Sequence, residues 1–150
     1  MSAYQRTQRG ILHVLLLSLG VLHLVGGLAV FAWQVVVGWV LVVAGCLLLG
    51  LAFVFRDLTV EDRGDHLFVA FGPLRLFRRR LRYAEIRSAE RSRTGWIDGL
   101  GLHYLPGRGW TWNVAGSECV ELRLRDGGVF RVGTDDSEGL AAFLDERLSG

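Results

Sequence analysis

The run ILHVLLLSLGVLHLVGGLAVFAWQVVVGWVLVVAGCLLLGLAFVF, residues 11–55, carries no Asp, Glu, Lys or Arg. Its polar side chains of note are His13, Ser18, His23 and Gln34. The hydrocarbon core of a bilayer is about 30 Å thick and takes about 20 apolar helical residues to cross. At about 1.5 Å per residue, a single helix of this length would overshoot that core about twofold. Two spans, residues 11–31 and 34–55, fit it, with a tight turn at Ala32-Trp33-Gln34. The chain therefore reads as a short N-terminal tail (1–10), a transmembrane helical hairpin (11–55) and a soluble domain (56–150).

Small residues give the hairpin a register. Gly20 and Gly27 follow His13 at intervals of seven, and Gly38, Gly45 and Ala52 repeat the interval in the second span. Residues so spaced share a helix face. With the turn between Ala32 and Trp33, Gly20 meets Gly45, Gly27 meets Gly38 and His13 meets Ala52. Small residues let membrane helices approach closely, so these glycines are expected to pack the hairpin. Arg6 and Arg9 before an apolar stretch, with Val30-Phe31-Ala32 after it, also resemble a signal peptide. The stretch is longer than a usual signal core, however, and a second span follows at once.

Charge sets the expected orientation. Arg6 and Arg9 precede the first span, Arg56 and Arg63 follow the second, and the turn between is uncharged. The positive-inside rule then places both termini in the cytoplasm. An ionisable residue inside a membrane is a functional candidate. His13 and His23 sit on one helix and cannot clamp a haem iron from both sides. They read as neutral imidazoles bonded across the hairpin or to an oligomer partner.

After Arg56 the pattern changes to short alternating segments separated by turn residues. Residues 58–61, 66–72, 75–83 and 86–91 read as strands, with Asp62-Arg63-Gly64-Asp65 as a turn. The glycine-rich stretch 95–109 reads as a loop, in which 100–104 is an optional strand. Strands at 110–114, 118–125 and 129–132 follow, the last two joined at Asp126-Gly127, a strong hairpin signal. Within 118–125, Val120, Leu122 and Leu124 point inward, and Cys119 falls on the outward face. Asp135 and Glu138 stand at capping-box spacing before an amphipathic helix built on Leu140, Phe143, Leu144 and Leu148. The domain is expected to be a mainly-β barrel or sandwich of about seven strands closed by one C-terminal helix.

Several segments carry a family resemblance: Leu67-Phe68-Val69-Ala70-Phe71-Gly72-Pro73, Gly95-Trp96, the run from Pro106 to Gly116, and Phe130-Arg131-Val132-Gly133-Thr134-Asp135-Asp136 with the helix that follows. Together they resemble the pleckstrin-homology (PH)-like domains of small bacterial membrane proteins, a group of unestablished function. The resemblance implies a PH-like fold and a place at the bacterial cytoplasmic membrane. It names no reaction, and fold alone does not choose among lipid, peptide and protein ligands.

All 17 basic residues are arginine, which excludes P-loop, Schiff-base and general-base lysines. Arg75, Arg78, Arg79, Arg80, Arg82, Arg87, Arg91 and Arg93 stand against Glu85 and Glu90, a net of +6 within residues 75–93, while residues 116–150 carry −4. Basic residues near a cytoplasmic leaflet are drawn to anionic lipid, so this segment is the candidate surface for headgroups or an acidic protein. The competing reading makes them solvated strand faces. Trp96, Trp110 and Trp112 are candidates for an aromatic groove or for core packing. The membrane setting and the acidic C-terminal half argue against nucleic acid.

No residue set supplies a catalytic constellation. The histidines have no metal-ligand spacing, and acidic neighbours would raise the Cys119 pKa rather than activate the thiol. No catalytic residue, metal or cofactor is expected. The sequence reads as a non-enzymatic membrane-anchored binding or adaptor module for anionic headgroups or a protein partner, with homo-oligomers left open. The alternative is a subunit or assembly factor of a larger membrane complex, with the hairpin as its interaction surface.

Overall fold

The computed structural model describes residues 4–95 and 100–149. The chain opens with β1 (Gln5–Arg9), then α1 (Ile11–Val30), α2 (Val35–Val54) and β2 (Asp57–Asp62). Gly10 alone separates β1 from α1, and Phe55 and Arg56 alone separate α2 from β2. β1 pairs antiparallel with β2, from Gln5 opposite Glu61 to Arg9 opposite Asp57. The residues expected as a tail are thus an edge strand. Its side chains gave no signal because all five are polar; an open edge on β2 recruits it. Removing this segment as a signal peptide would strip the domain of a strand.

The helices run slightly inside their expected bounds. Backbone hydrogen bonds close the turn, from the Trp33 and Gln34 N–H groups to Val30 O (3.0 and 2.9 Å). Gly20 and Gly45 approach each other, as do Gly27 and Gly38. A Cβ on Gly45 would lie 2.9 Å from the Gly20 carbonyl oxygen, and one on Gly27 would lie 3.0 Å from that of Gly38. Gly20, Gly27, Gly38, Gly45 and Ala52 are the buried residues of the pair. Both helices are long and apolar enough to cross a membrane, and only 11% and 17% of their apolar segments are buried. A core helix of a soluble protein would be mostly covered.

The domain adds β3 (His66–Phe71), β4 (Arg78–Arg82), a 3₁₀ turn (Tyr83–Glu85), β5 (Ile86–Arg93), β6 (Gly101–Leu105), β7 (Gly109–Asn113), β8 (Glu118–Leu124), β9 (Val129–Gly133) and α3 (Ser137–Ser149). One sheet has the order β1-β2-β3-β4; the other has β5-β8-β9-β7-β6. Every pairing is antiparallel except β7 with β9. Among the described residues, nine strands therefore replace the expected seven: β1 is new, and β6 turns the optional segment into a strand. β4 starts at Arg78 rather than residue 75, because Arg75 sits in a turn at φ 49°.

Leu58, Val60, Leu67, Val69, Phe71 and Leu81 of the first sheet meet Ile86, Trp112, Val120, Leu122, Phe130 and Val132 of the second in one core, joined by Leu140 and Leu144 of α3. The cap of α3 differs from the expected pair: Asp136 Oδ1 accepts the Gly139 N–H at 3.0 Å, while Asp135 binds Arg6. Cys119 is fully buried, not outward. The segment after β9 folds back over the start of β8, with Thr134 N–H donating to Glu118 O (3.2 Å) and Ser137 Oγ to Glu118 (2.6 Å).

Gly45→Leu should splay the hairpin. A spin-label pair at Ser18 and Leu47 in the reconstituted chain should lengthen by about 2–3 Å, the step from a glycine-packed to an ordinary helix separation; an unchanged distance would refute the glycine contact.

Candidate functional site

The end of the domain from which the helices emerge is built by close backbone approaches. Gly10 packs against the Val114 carbonyl, leaving no room for a Cβ. Gly72, at φ 61°, packs in the same way against the Val54 carbonyl at the last turn of α2. Gln8 Nε2 donates to Ala115 O at 3.1 Å. Phe55, just past α2, stacks on Phe77 (centroids 5.6 Å, interplanar 14°) and meets Phe71 edge-on (5.1 Å, 72°). Domain and hairpin are thereby joined by packing as well as by covalent connection.

The eight arginines of the basic segment do not form one surface. Arg75 and Arg78 lie at the hairpin end, since Arg78 pairs with Ala70 and its neighbour Phe71 pairs with Leu58. Arg79, Arg80 and Arg82 continue along β4 away from the hairpin, and Arg82 pairs with His66 at the far end. At about 3.3 Å per residue, Arg82 is about 13 Å further from the helices than Arg78. Arg79 lies over the Phe130 ring at 5.0 Å, covering the core edge. Arg87 belongs to the other sheet at its far end, near Leu124. Arg91 faces Glu138 at 3.9 Å and Arg93 faces Glu118 at 3.7 Å. The sequence also hid two members of the hairpin-end set. Arg9 is exposed at the end of β1, and Arg56 bonds Asp57 at 3.0 Å. Their signal was position, since each directly flanks a span.

Trp110 and Trp112 sit at different depths. Trp112 is core, 6% exposed, packed on Phe71 (5.2 Å) and Phe130 (5.4 Å). Trp110 is half-buried and meets Tyr104 at 5.3 Å. Trp96 lies outside the described residues. The hairpin histidines also differ from expectation: neither reaches across to α2. His23 Nδ1 bonds Leu19 O at 2.8 Å, and His13 Nδ1 bonds Gly10 O at 2.5 Å. A carbonyl only accepts, so both Nδ1 atoms carry the proton. Each ring thus finds its partner within its own chain segment, one turn back. Among the described residues, no three His, Cys, Asp or Glu side chains are grouped to hold a metal ion.

Polar contacts tie the rest of the domain together. At the far end, Asp62 accepts from Tyr83 Oη at 2.7 Å and from Arg147 Nη2 at 2.7 Å, and the guanidinium lies over the Tyr83 and Phe143 rings. Burial pushes the Asp62 carboxyl up, but Tyr83, Arg147 and the Gly64 N–H outweigh it and hold the group below the usual carboxylate range. Tyr4 stacks on Phe143 at 5.4 Å, and burial beside Asp136 raises its pKa to about 12. Arg6 and Asp135 form an exposed two-bond pair at 3.0 and 3.3 Å. Together these contacts fasten α3 to β1 and β2.

No protein-family model matches the chain, and no curated protein matches it.

Asp62→Ala removes the carboxylate that accepts from Arg147 and from the Tyr83 hydroxyl, and should cost about 2–4 kcal/mol. Because the folded Asp62 pKa is depressed, its contribution is present above the unfolded value of about 3.9 and is lost as pH falls through the lower folded value. Thermal melts from pH 7 to pH 3 should therefore show wild type losing more stability than Asp62→Asn. Parallel curves would refute the assignment.

Proposed function

We propose that this chain is a non-enzymatic membrane-anchored binding module: a two-span hairpin mounting a PH-like β-domain at the cytoplasmic face of a bacterial membrane, with anionic headgroups contacted at the hairpin end. The observation that carries this reading is the absence of a linker. Gly10 on one side and Phe55-Arg56 on the other are the whole connection, and Gly10 and Gly72 close the joint by backbone contact. A domain so mounted cannot swing, so the same residues always face the bilayer. Those residues include Arg9, Arg56, Arg75 and Arg78. Each basic side chain near an anionic leaflet adds roughly 1 kcal/mol of attraction. The orientation with both termini cytoplasmic follows from the same arginines. The PH-like assignment is supported by the succession of strands closed by a C-terminal helix, and the parallel β7–β9 pair is a feature that the resemblance did not imply.

Arg80, Arg82 and Arg87 stand too far from the helices for that role. Arg80 lines, with Arg79, Ala84, Glu85, Arg125 and Asp126, a depression of about 470 Å³ at the far end. An acidic protein partner is the ligand class that suits it. The second reading, a subunit of a larger membrane complex, draws on His23. Its Nδ1 is used by Leu19 O, which leaves Nε2 as an acceptor on the hairpin surface, where hydrocarbon offers no donor. A donor from a neighbouring membrane helix would satisfy it.

The test uses the full chain, because a fragment beginning at residue 56 lacks β1. Reconstituted protein should resist carbonate extraction. In mixed bilayers it should also retain anionic phosphatidylglycerol in preference to phosphatidylcholine. Replacing Arg9, Arg56 and Arg78 by Gln should reduce that preference about fivefold per residue. Extraction by carbonate would overturn the anchor; equal retention of the two lipids by wild type would overturn the headgroup contact.

A further inference from the structure

Outside the hairpin, the exposed large hydrophobic side chains among the described residues are Leu74 (58%), Leu76 (63%), Phe77 (41%) and Tyr104 (57%). The first three belong to the turn between β3 and β4, and that turn stands at the hairpin end. Its root is fixed against α2: Gly72 N–H donates to Asp57 O at 2.8 Å and Phe71 N–H to Phe77 O at 2.9 Å, and Phe77 stacks on Phe55. Arg75, at the tip, is the described non-glycine residue with positive φ (49°), a conformation that costs L side chains energy. Relaxing it would be easy in a free loop. Here the strained residue separates Leu74 from Leu76, so the two leucines are held outward, while the Arg75 guanidinium folds back over the Phe68 ring at 5.5 Å and Phe77 stays on Phe55. The turn contains no acid, and Arg78 follows it directly. Water is a poor environment for such a group of side chains. The boundary zone of a bilayer, apolar below and anionic above, suits all of them.

We propose that residues 72–77 are a third membrane contact. Leu74, Leu76 and Phe77 enter the interfacial zone of the leaflet from which the hairpin emerges, and Arg75 and Arg78 lie at the level of the lipid phosphates. The occupant is the lipid surface, because the turn is continuous with the end of α2 through the Phe55–Phe77 stack, and a span leaving the bilayer there carries the turn to the same depth. Two spans fix a point and an axis; a third contact off that axis fixes the tilt of the β-domain. The proposal rests on the hairpin crossing the membrane, as set out above.

The test places one nitroxide at a time on the full chain in a Cys46→Ala background, since Cys119 is buried. Labels go at Leu76→Cys, at Leu47→Cys within α2 and at Ala84→Cys at the far end. The protein is reconstituted in vesicles of phosphatidylcholine and phosphatidylglycerol, and collision with oxygen is compared with collision with a water-soluble nickel chelate. Label 76 should favour oxygen, between label 47 and label 84. Nickel access at 76 equal to that at 84, with 47 still deep, overturns the proposal and leaves the anchor standing. Nickel access at 47 overturns the anchor and the proposal with it. Shielding of 76 from both reagents means a protein covers the turn, and also overturns it. In unlabelled protein, Leu76→Glu should raise the rate of trypsin cleavage after Arg75 about tenfold in vesicles, as expected from expelling one leucine, and leave the rate in detergent unchanged. Equal rates in vesicles would count against lipid insertion.

Discussion

The structure depends on one antiparallel approach that runs from Gln5 through the hairpin to Glu61. Neither half of it is robust alone. An edge strand of five polar residues brings little apolar burial of its own, and two helices in lipid would have no hydrophobic drive to associate, since lipid is as apolar as they are. Coupled through Gly10 and Phe55-Arg56, each supplies the other's register. Arg9 opposite Asp57 starts the two helices side by side. Gly20 against Gly45 then lets them remain so, at a distance only backbone contact allows. A slip of one residue in β1 would turn its side chains to the opposite face of the sheet. Arg6 would leave Asp135, and Gln8 would leave Ala115. The junction has no slack in which to absorb the error.

That coupling decides what the charges can do. A basic domain on a flexible tether could present any face to a leaflet and average over many. A domain joined by backbone packing presents one. Distance from the hairpin then sorts the arginines more strictly than distance along the sequence. Arg56 and Arg78 are 22 residues apart yet share the hairpin end. Arg78 and Arg82 are near neighbours in sequence and stand at opposite ends of β4.

The hairpin was legible because its signals are local and redundant: an uncharged run of the right length, and glycines whose spacing agrees under a single turn position. The β8–β9 hairpin was legible for a similar reason, since alternation and Asp126-Gly127 agree, and Gly127 takes the positive φ of 86° that the turn needs. β1 was not legible. Gln5–Arg9 has no apolar alternation, and its strand state comes from an edge about fifty residues away in sequence. Cys119 was misjudged because alternation assumes one wet face, and at the start of β8 both Cys119 and Val120, on opposite faces, are buried. Trp110 and Trp112 share a strand face. Depth separates them, and depth comes from packing: Phe71 and Phe130 enclose Trp112, and Trp110 meets Tyr104 at the margin.

The basic segment shows how one composition can serve several constraints. β4 is one edge of its sheet, and β1 is the other. An unpaired edge invites pairing with another chain, and charged side chains along it prevent that. Arg80 and Arg82 are exposed on this edge. They also lie beyond reach of headgroups, so edge protection accounts for them whether or not a partner binds. Arg79 faces the other way, and its stem and guanidinium cover Phe130, a use open to arginine because its flat cation stacks on aromatic rings. Arg91 and Arg93 answer Glu138 and Glu118 on exposed surfaces, where such pairs contribute little. What remains beside the helices is the pair Arg75 and Arg78, joined there by Arg9 and Arg56 from outside the segment. A net charge of +6 over a short stretch is thus several independent devices, and only the sheet order separates them.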